Sequence, residues 1–166
     1  MPTNFQQLFR FNRWANRLIL AACADLTLEQ LAADCVGTYG QLHVTLAHLA
    51  AAEAGYVHRL STEPRVLEWR DPAPPPAVSV LADALEQTGT RLISLATSVP
   101  DDHIAEFRTL DGEDVRIPGW LLLAQSVDHA REHRSHVATI LTQLGLTPPD
   151  IDVWAFDESG AAATDD

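Results

Sequence analysis

Basic residues are scarce in this chain. Eleven lysines and arginines stand against 23 aspartates and glutamates, a formal net charge of -12 over 166 residues. A surface that negative repels phosphate backbones and anionic headgroups, so neither nucleic acid nor a membrane surface is expected as a partner. Cysteine is nearly missing. Cys23 and Cys35 are too few for a disulfide framework. Cys23 lies in an alanine-rich helical stretch and is expected as a reduced, packed thiol, which points to the cytoplasm. No apolar run approaches the roughly 20 residues of a spanning helix. Met1–Gln7 lacks a basic start followed by an apolar stretch, so no secretory signal is expected. The chain also lacks a Walker A loop, Gly-x-Gly-x-x-Gly, Gly-x-Ser-x-Gly, Cys-x-x-Cys and His-Glu-x-x-His.

What is present is an apolar content of 46%, enough for a core. The length suits one domain spanning 1–166, with 157–166 expected as a flexible acidic tail. Leu8, Phe11, Trp14, Leu18, Ala21 and Ala22 recur at intervals of three and four, predicting a first helix over about Asn4–Asp25, with Thr3 or Asn4 as its cap. Thr27-Leu28-Glu29-Gln30 has the spacing of a capping box, which predicts a short helical piece. After a loop over Cys35–Gly40, a second long helix is predicted over about Gln41–Leu60, and Glu53 falls on or near its apolar stripe.

Ser61–Ser79 holds Pro64, Pro72, Pro74, Pro75 and Pro76 and cannot be a helix interior. It is too long for a tight antiparallel connection and long enough to travel the height of a bundle, which predicts parallel helices on either side. A third long helix is predicted over about Val80–Val99. Asp111-Gly112, between the apolar runs Ile104–Leu110 and Val115–Ile117, predicts a small hairpin or extended loop. A fourth long helix is predicted over Pro118–Leu144, with the proline in its first turn and Gly145 as its stop. Ile151, Val153, Trp154 and Phe156 are placed to pack back. Together these features predict an all-α four-helix bundle.

Three of the seven histidines, His129, His133 and His136, fall within the fourth helix. At about 100° per residue, His133 sits about 40° from His129 and His136 about 20° to its other side, so all three share one stripe beside the apolar face. Imidazoles at i and i+4 can converge on one metal ion. A third ligand would then come from a facing helix. The second helix offers His43, His48 and His58. His43 and His48 point about 140° apart. His48 adjoins Leu49 as His129 adjoins Ala130, which favours His48. His58 and His103 lie near a helix end and a loop. His136 fits as a third ligand, as a donor to a ligand, or as a proton carrier. Asp128, Glu132 and Glu53 are the nearby acceptors for a ligand's second N–H. A di-iron bundle site would require Glu-x-x-His, which the chain lacks.

The order of three motifs then resembles the DinB/YfiT-like superfamily of metalloenzymes over nearly the whole chain. Phe11-Asn12-Arg13-Trp14-Ala15-Asn16 is similar to its first-helix motif. Thr45-Leu46-Ala47-His48-Leu49 with Glu53 is similar to its second-helix motif, and His129-Ala130-Arg131-Glu132-His133-Arg134 to its His-x-x-x-His-Arg motif. Pro148-Pro149-Asp150-Ile151-Asp152-Val153-Trp154 matches in style. The resemblance implies a four-helix bundle with a long crossover, and one divalent metal ion (zinc, nickel or iron) on His48, His129 and His133. It also implies homodimers, a small-molecule substrate, and a low-molecular-weight thiol such as bacillithiol or mycothiol as co-substrate. Many members carry Gln where this chain has His136. The function these readings predict is a metal-dependent thiol S-transferase, or a related hydrolase or isomerase, with His136 and Glu53 as candidate catalytic proton carriers. A non-catalytic metal-binding or stress-response bundle and a metal-free interaction bundle are the alternatives.

Overall fold

The computed structural model describes residues 4–67, 74–109 and 111–163. Four long helices are present: α1 (Asn4–Cys23), α3 (Leu42–Ser61), α4 (Val78–Ser98) and α5 (Gly119–Gln143). Two short ones, α2 (Leu28–Leu31) and α6 (Val153–Glu158), and a 3-10 turn at Ala161–Ala163 complete the helical set among the described residues. The predicted capping box at Thr27 is formed, with Gln30 N–H donating to Thr27 Oγ1 at 3.2 Å and Thr27 N–H to Gln30 Oε1 at 2.9 Å. Thr3, the alternative cap of α1, lies outside the described residues, and Asn4 is the first residue of that helix.

Helix directions follow from which residues meet. Arg13 bonds Thr90 and Arg17 bonds Glu86, so α1 and α4 are antiparallel. Glu53 meets Thr88 and Glu63 meets Arg91, so α3 and α4 run parallel. This is the arrangement expected of a proline-rich crossover after Ser61, of which 68–73 lie outside the described residues. α3 and α5 are antiparallel, since His48 faces His129 and Tyr56 faces Gln125. α1 and α4 approach closely at Gly89, where a Cβ would sit 2.9 Å from Arg13 Cγ.

The predicted hairpin is real. β1 (Ile104–Arg108) pairs antiparallel with β2 (Asp114–Pro118), in a register from Ile104 opposite Pro118 to Arg108 opposite Asp114. Gly112 takes φ +85°, the left-handed conformation that a glycine adopts freely. Leu110, the end of the predicted first run, lies outside the described residues. Pro118 differs from its predicted place inside the helix. It closes the β ladder and caps α5 from outside. An edge position suits it, because the missing N–H has no ladder bond to make.

The core also departs from the apolar stripe read for α1. Leu8 is 40% exposed, while Asn12, Arg13 and Asn16 are buried. Apolar periodicity cannot register a buried polar face, and this face is buried because its groups are paired. Phe11 and Trp14 turn instead toward α6, stacking around Phe156 at ring separations of 5.8 and 5.4 Å. That contact is the expected packing back of the tail for Phe156, and Ile151 packs on the core as expected. Val153 and Trp154 instead are exposed, on a short helix anchored by Asp152, whose Oδ1 caps the N–H groups of Trp154 and Ala155 at 2.8 Å. Within the stretch expected as a flexible acidic tail, Asp157 and Glu158 end α6, and 164–166 lie outside the described residues. Cys23 and Cys35 are free thiols, and burial pushes Cys23 up to about 12.

Candidate metal centre

His129 and His133 lie one turn apart on α5, and antiparallel packing brings His48 of α3 to meet them. Nε2 of His129 lies 3.2 Å from Nε2 of His48 and 3.1 Å from Nε2 of His133. One coordinating atom from each of the three lies within 4.8 Å of the other two. His133 is buried and the other two are partly buried, so the cluster sits at the edge of the bundle.

The donor set fits a metal ion on two counts. Imidazole nitrogens at about 2.0–2.1 Å from a tetrahedral ion lie about 3.3 Å apart, close to both measured separations. A ring nitrogen also has only one bonding direction, as donor or as acceptor. His129 Nε2 has two nitrogens at contact distance and can serve one of them by a hydrogen bond. A cation facing all three lone pairs removes that conflict. The electrostatics agree. Burial first, then the neighbouring His129, His48 and His136, push His133 down to about 3. Burial and His48 lower His129, against the opposing pull of Glu132 and Asp128. Metal ligation requires the neutral imidazole, and these surroundings enforce it.

Tyr39, which the sequence reading passed over, completes the surroundings. Its ring stacks on His48 at 4.2 Å and meets His133 edge-on at 5.0 Å, and its Oη lies 3.0 Å from His48 Nδ1. With Nε2 directed at a metal, Nδ1 carries the proton and Tyr39 Oη accepts it. The loop is shaped to hold the ring there. Thr38 donates through N–H and Oγ1 to Cys35 O, and Leu42 N–H bonds Ala33 O at 2.8 Å. A tyrosine in a loop has no periodicity to reveal it. The hint the chain offers is its position two residues before the predicted ligand helix.

The other sequence candidates are placed as follows. The His136 ring lies 5.4 Å from that of His133, edge-on, and its buried Nδ1 has no hydrogen-bond partner among the described residues. His43 Nε2 bonds Pro76 O at 2.6 Å and His58 Nδ1 bonds Glu63 O at 2.6 Å, so both serve the chain around the crossover. His103 lies beside Gly119 at the foot of the hairpin. Asp128 and Glu132 are exposed.

Glu53 is 2% exposed, and its carboxylate is filled by donors. Thr88 Oγ1 reaches Oε1 at 2.6 Å, while Asn12 Nδ2 and Asn16 Nδ2 reach Oε2 at 3.0 and 3.1 Å. Arg134, 1% exposed and next in sequence to His133, donates from Nη1 to the side-chain oxygens of the same two asparagines, at 2.6 and 2.7 Å. Burial pushes the Glu53 carboxyl up. The Thr88 and Asn12 bonds, the Arg134 charge and the Asn16 bond pull it down. The motif Phe11–Asn16 thus acts through Asn12 and Asn16, which tie α1 to Glu53 of α3 and Arg134 of α5, the two helices that carry the histidines.

These features define an all-α bundle with a histidine triad compatible with metal binding. The chain belongs to the DinB family, whose model matches residues 1–165. A crystal structure of a DinB-like protein from Bacillus cereus ATCC 10987 is similar to it in fold, with a TM-score of 0.68 at 20% identity, over 88% of this chain and 94% of that one. No curated protein matches the chain. Among the described residues, no helix is long and apolar enough to cross a membrane.

Proposed function

We propose that this chain is a single-domain, cytoplasmic, homodimeric enzyme that transfers a low-molecular-weight thiol to an electrophilic small molecule, using one divalent ion held by His48, His129 and His133. The observation that carries the metal half of this reading is the convergence of three imidazoles, 3.1 and 3.2 Å apart at His129 Nε2. Zinc, nickel and iron all suit imidazole ligands. An ion held by three neutral ligands keeps open positions and lowers the pKa of a bound thiol or water, which makes a nucleophile available at neutral pH. The thiol half follows from what such a site suits and from the family resemblance.

The protein's own groups then have separate tasks. Tyr39, itself exposed, stacks on His48 and meets its Nδ1, which orients that ring. His136, whose Nδ1 has no partner among the described residues, takes the thiol proton and returns it to the leaving group. Glu53, the other candidate proton carrier, has its oxygens occupied by three donors, so in this reading it keeps α1, α3 and α4 in register around the site. That engagement also favours the second reading, a metal-binding bundle without turnover, since it leaves His136 as the one candidate proton carrier not already bonded.

The test is elemental analysis of untagged protein. Wild type is expected to hold about one ion per chain, since one such triad is present among the described residues. His48→Ala, His129→Ala and His133→Ala are expected to lose it and His136→Ala to keep it. Wild type that takes up no zinc, nickel or iron would refute the site. A loaded protein without turnover across thiols and electrophiles would favour the second reading.

A further inference from the structure

All eleven basic residues of the chain are arginines. Six of the described ones pair with a carboxylate, and Arg134 is tied to Asn12 and Asn16. Arg59 and Arg65 are different. Neither has a carboxylate partner among the described residues, in a chain where acidic residues outnumber basic ones by two to one. Both guanidinium groups reach the same spot on α3. A Cβ on the buried Gly55 would sit 3.0 Å from Arg59 Nη1 and 3.8 Å from Arg65 Nη2.

Arg59 is also held in place. Its Cζ lies 4.9 Å from the Phe107 ring of β1 and 6.0 Å from the Tyr56 ring. These contacts fix a half-buried guanidinium before any ligand arrives, which lowers the ordering cost of binding. Tyr56 links the pair to the metal centre, its ring lying edge-on to that of His129 at 6.0 Å. Gly55 is seven residues beyond His48, or about 10 Å along the helix. A ligand of about three residues' length spans that distance at about 3.5 Å per residue.

We propose that Arg59 and Arg65 form an anion subsite that receives a carboxylate of the ligand whose other end reaches His48, His129 and His133. Two forks converging on one spot match a carboxylate, which accepts paired N–H bonds. A chain of net charge -12 repels a dianionic phosphoryl group more strongly than a monoanionic carboxylate. The ligand's other end rests on the metal-centre reading, and the carboxylate end does not.

The probe is glutathione, a thiol tripeptide with a carboxylate at either end, compared with its S-methyl form and its diester. Binding to the full chain is measured by calorimetry, and the arginine Nε–H signals are followed by NMR. Metal-free wild type is expected to bind S-methyl glutathione about tenfold tighter than the S-methyl diester, and Arg59→Gln or Arg65→Gln to cut that preference to within about threefold. Arg65→Gln removes no ring contact among the described residues, so it tests the subsite even where Arg59→Gln loosens the hairpin. Zinc-loaded protein is expected to bind free glutathione tighter still than the S-methyl form. Loss of that last gain alone overturns the metal-centre reading and leaves the subsite standing. A wild type without the acid-over-ester preference at millimolar probe, or a preference intact in both variants, overturns the subsite.

Discussion

Arg134 and Glu53 are joined through two asparagines that stand side by side on α1. Asn12 and Asn16 each accept from Arg134 Nη1 and each donate to Glu53 Oε2. A guanidinium only donates and an ionised carboxylate only accepts, so the direction of these bonds fits a charged pair at both ends. The amides carry the interaction across the bundle core, and the register of α3 against α5 depends on it.

Removing one end of this relay strands the other. Arg134→Met is expected to destabilise the fold by about 3–5 kcal/mol, the usual cost of leaving a buried charge uncompensated. Glu53→Gln should cost less than Glu53→Ala, because it keeps the volume and one acceptor. The double variant Arg134→Met/Glu53→Gln should lose less than the sum of its parts. Urea unfolding of the four proteins measures this, and strict additivity would count against the relay.

The same histidines that suit a metal make the metal-free protein acid-sensitive. His133 is pushed from 6.5 down to about 3 in the folded chain. Between those values the unfolded chain binds more protons than the native one, so stability is complete above pH 6.5 and falls as pH drops through the window. Urea unfolding of metal-free protein above and within the window should show the slope. His133→Asn should flatten it, and equal slopes in the two proteins would remove this account.

Tyr39→Phe keeps the stack on His48 and deletes the acceptor of its Nδ1 proton. Metal affinity is expected to fall about tenfold or more, the usual effect of removing an outer partner of a ligating histidine. Competition with a chromophoric chelator reads it directly, with unchanged affinity as the contrary result.

Metal should stabilise the fold by mass action. At an ion concentration of 100 times the dissociation constant, the gain is about 2.7 kcal/mol. Thermal unfolding of wild type should therefore shift downward on chelation, while His48→Ala should melt at one temperature with or without chelator. A shift of equal size in that variant would place the ion elsewhere.

Much of this was legible in the linear chain. Three-and-four spacing located all four long helices. The prolines after Ser61 implied the parallel α3 and α4, and Asp111-Gly112 marked the hairpin between β1 and β2. His129 and His133 announced their shared face because one turn of helix is a local property, independent of what packs against it. The structure brings His48 to them, as its place beside Leu49 suggested.

What stayed hidden was of a different physical kind. Asn12 and Asn16 sit on a helix face that apolar periodicity would assign to solvent, and only their partners on other helices make their burial tolerable. Tyr39 lies in a loop, where spacing carries no direction. Arg59 and Arg65 form no pattern in the linear chain, and only in space do both reach Gly55 without a carboxylate partner among the described residues. The sequence by itself determined the helices, their order and the residue types available for chemistry, because these depend on backbone propensity and on neighbours within one turn. Only the tertiary structure decided which side chains from different helices meet, because bringing residues 41 or 81 apart in sequence to within 3.2 Å is settled by how whole helices pack.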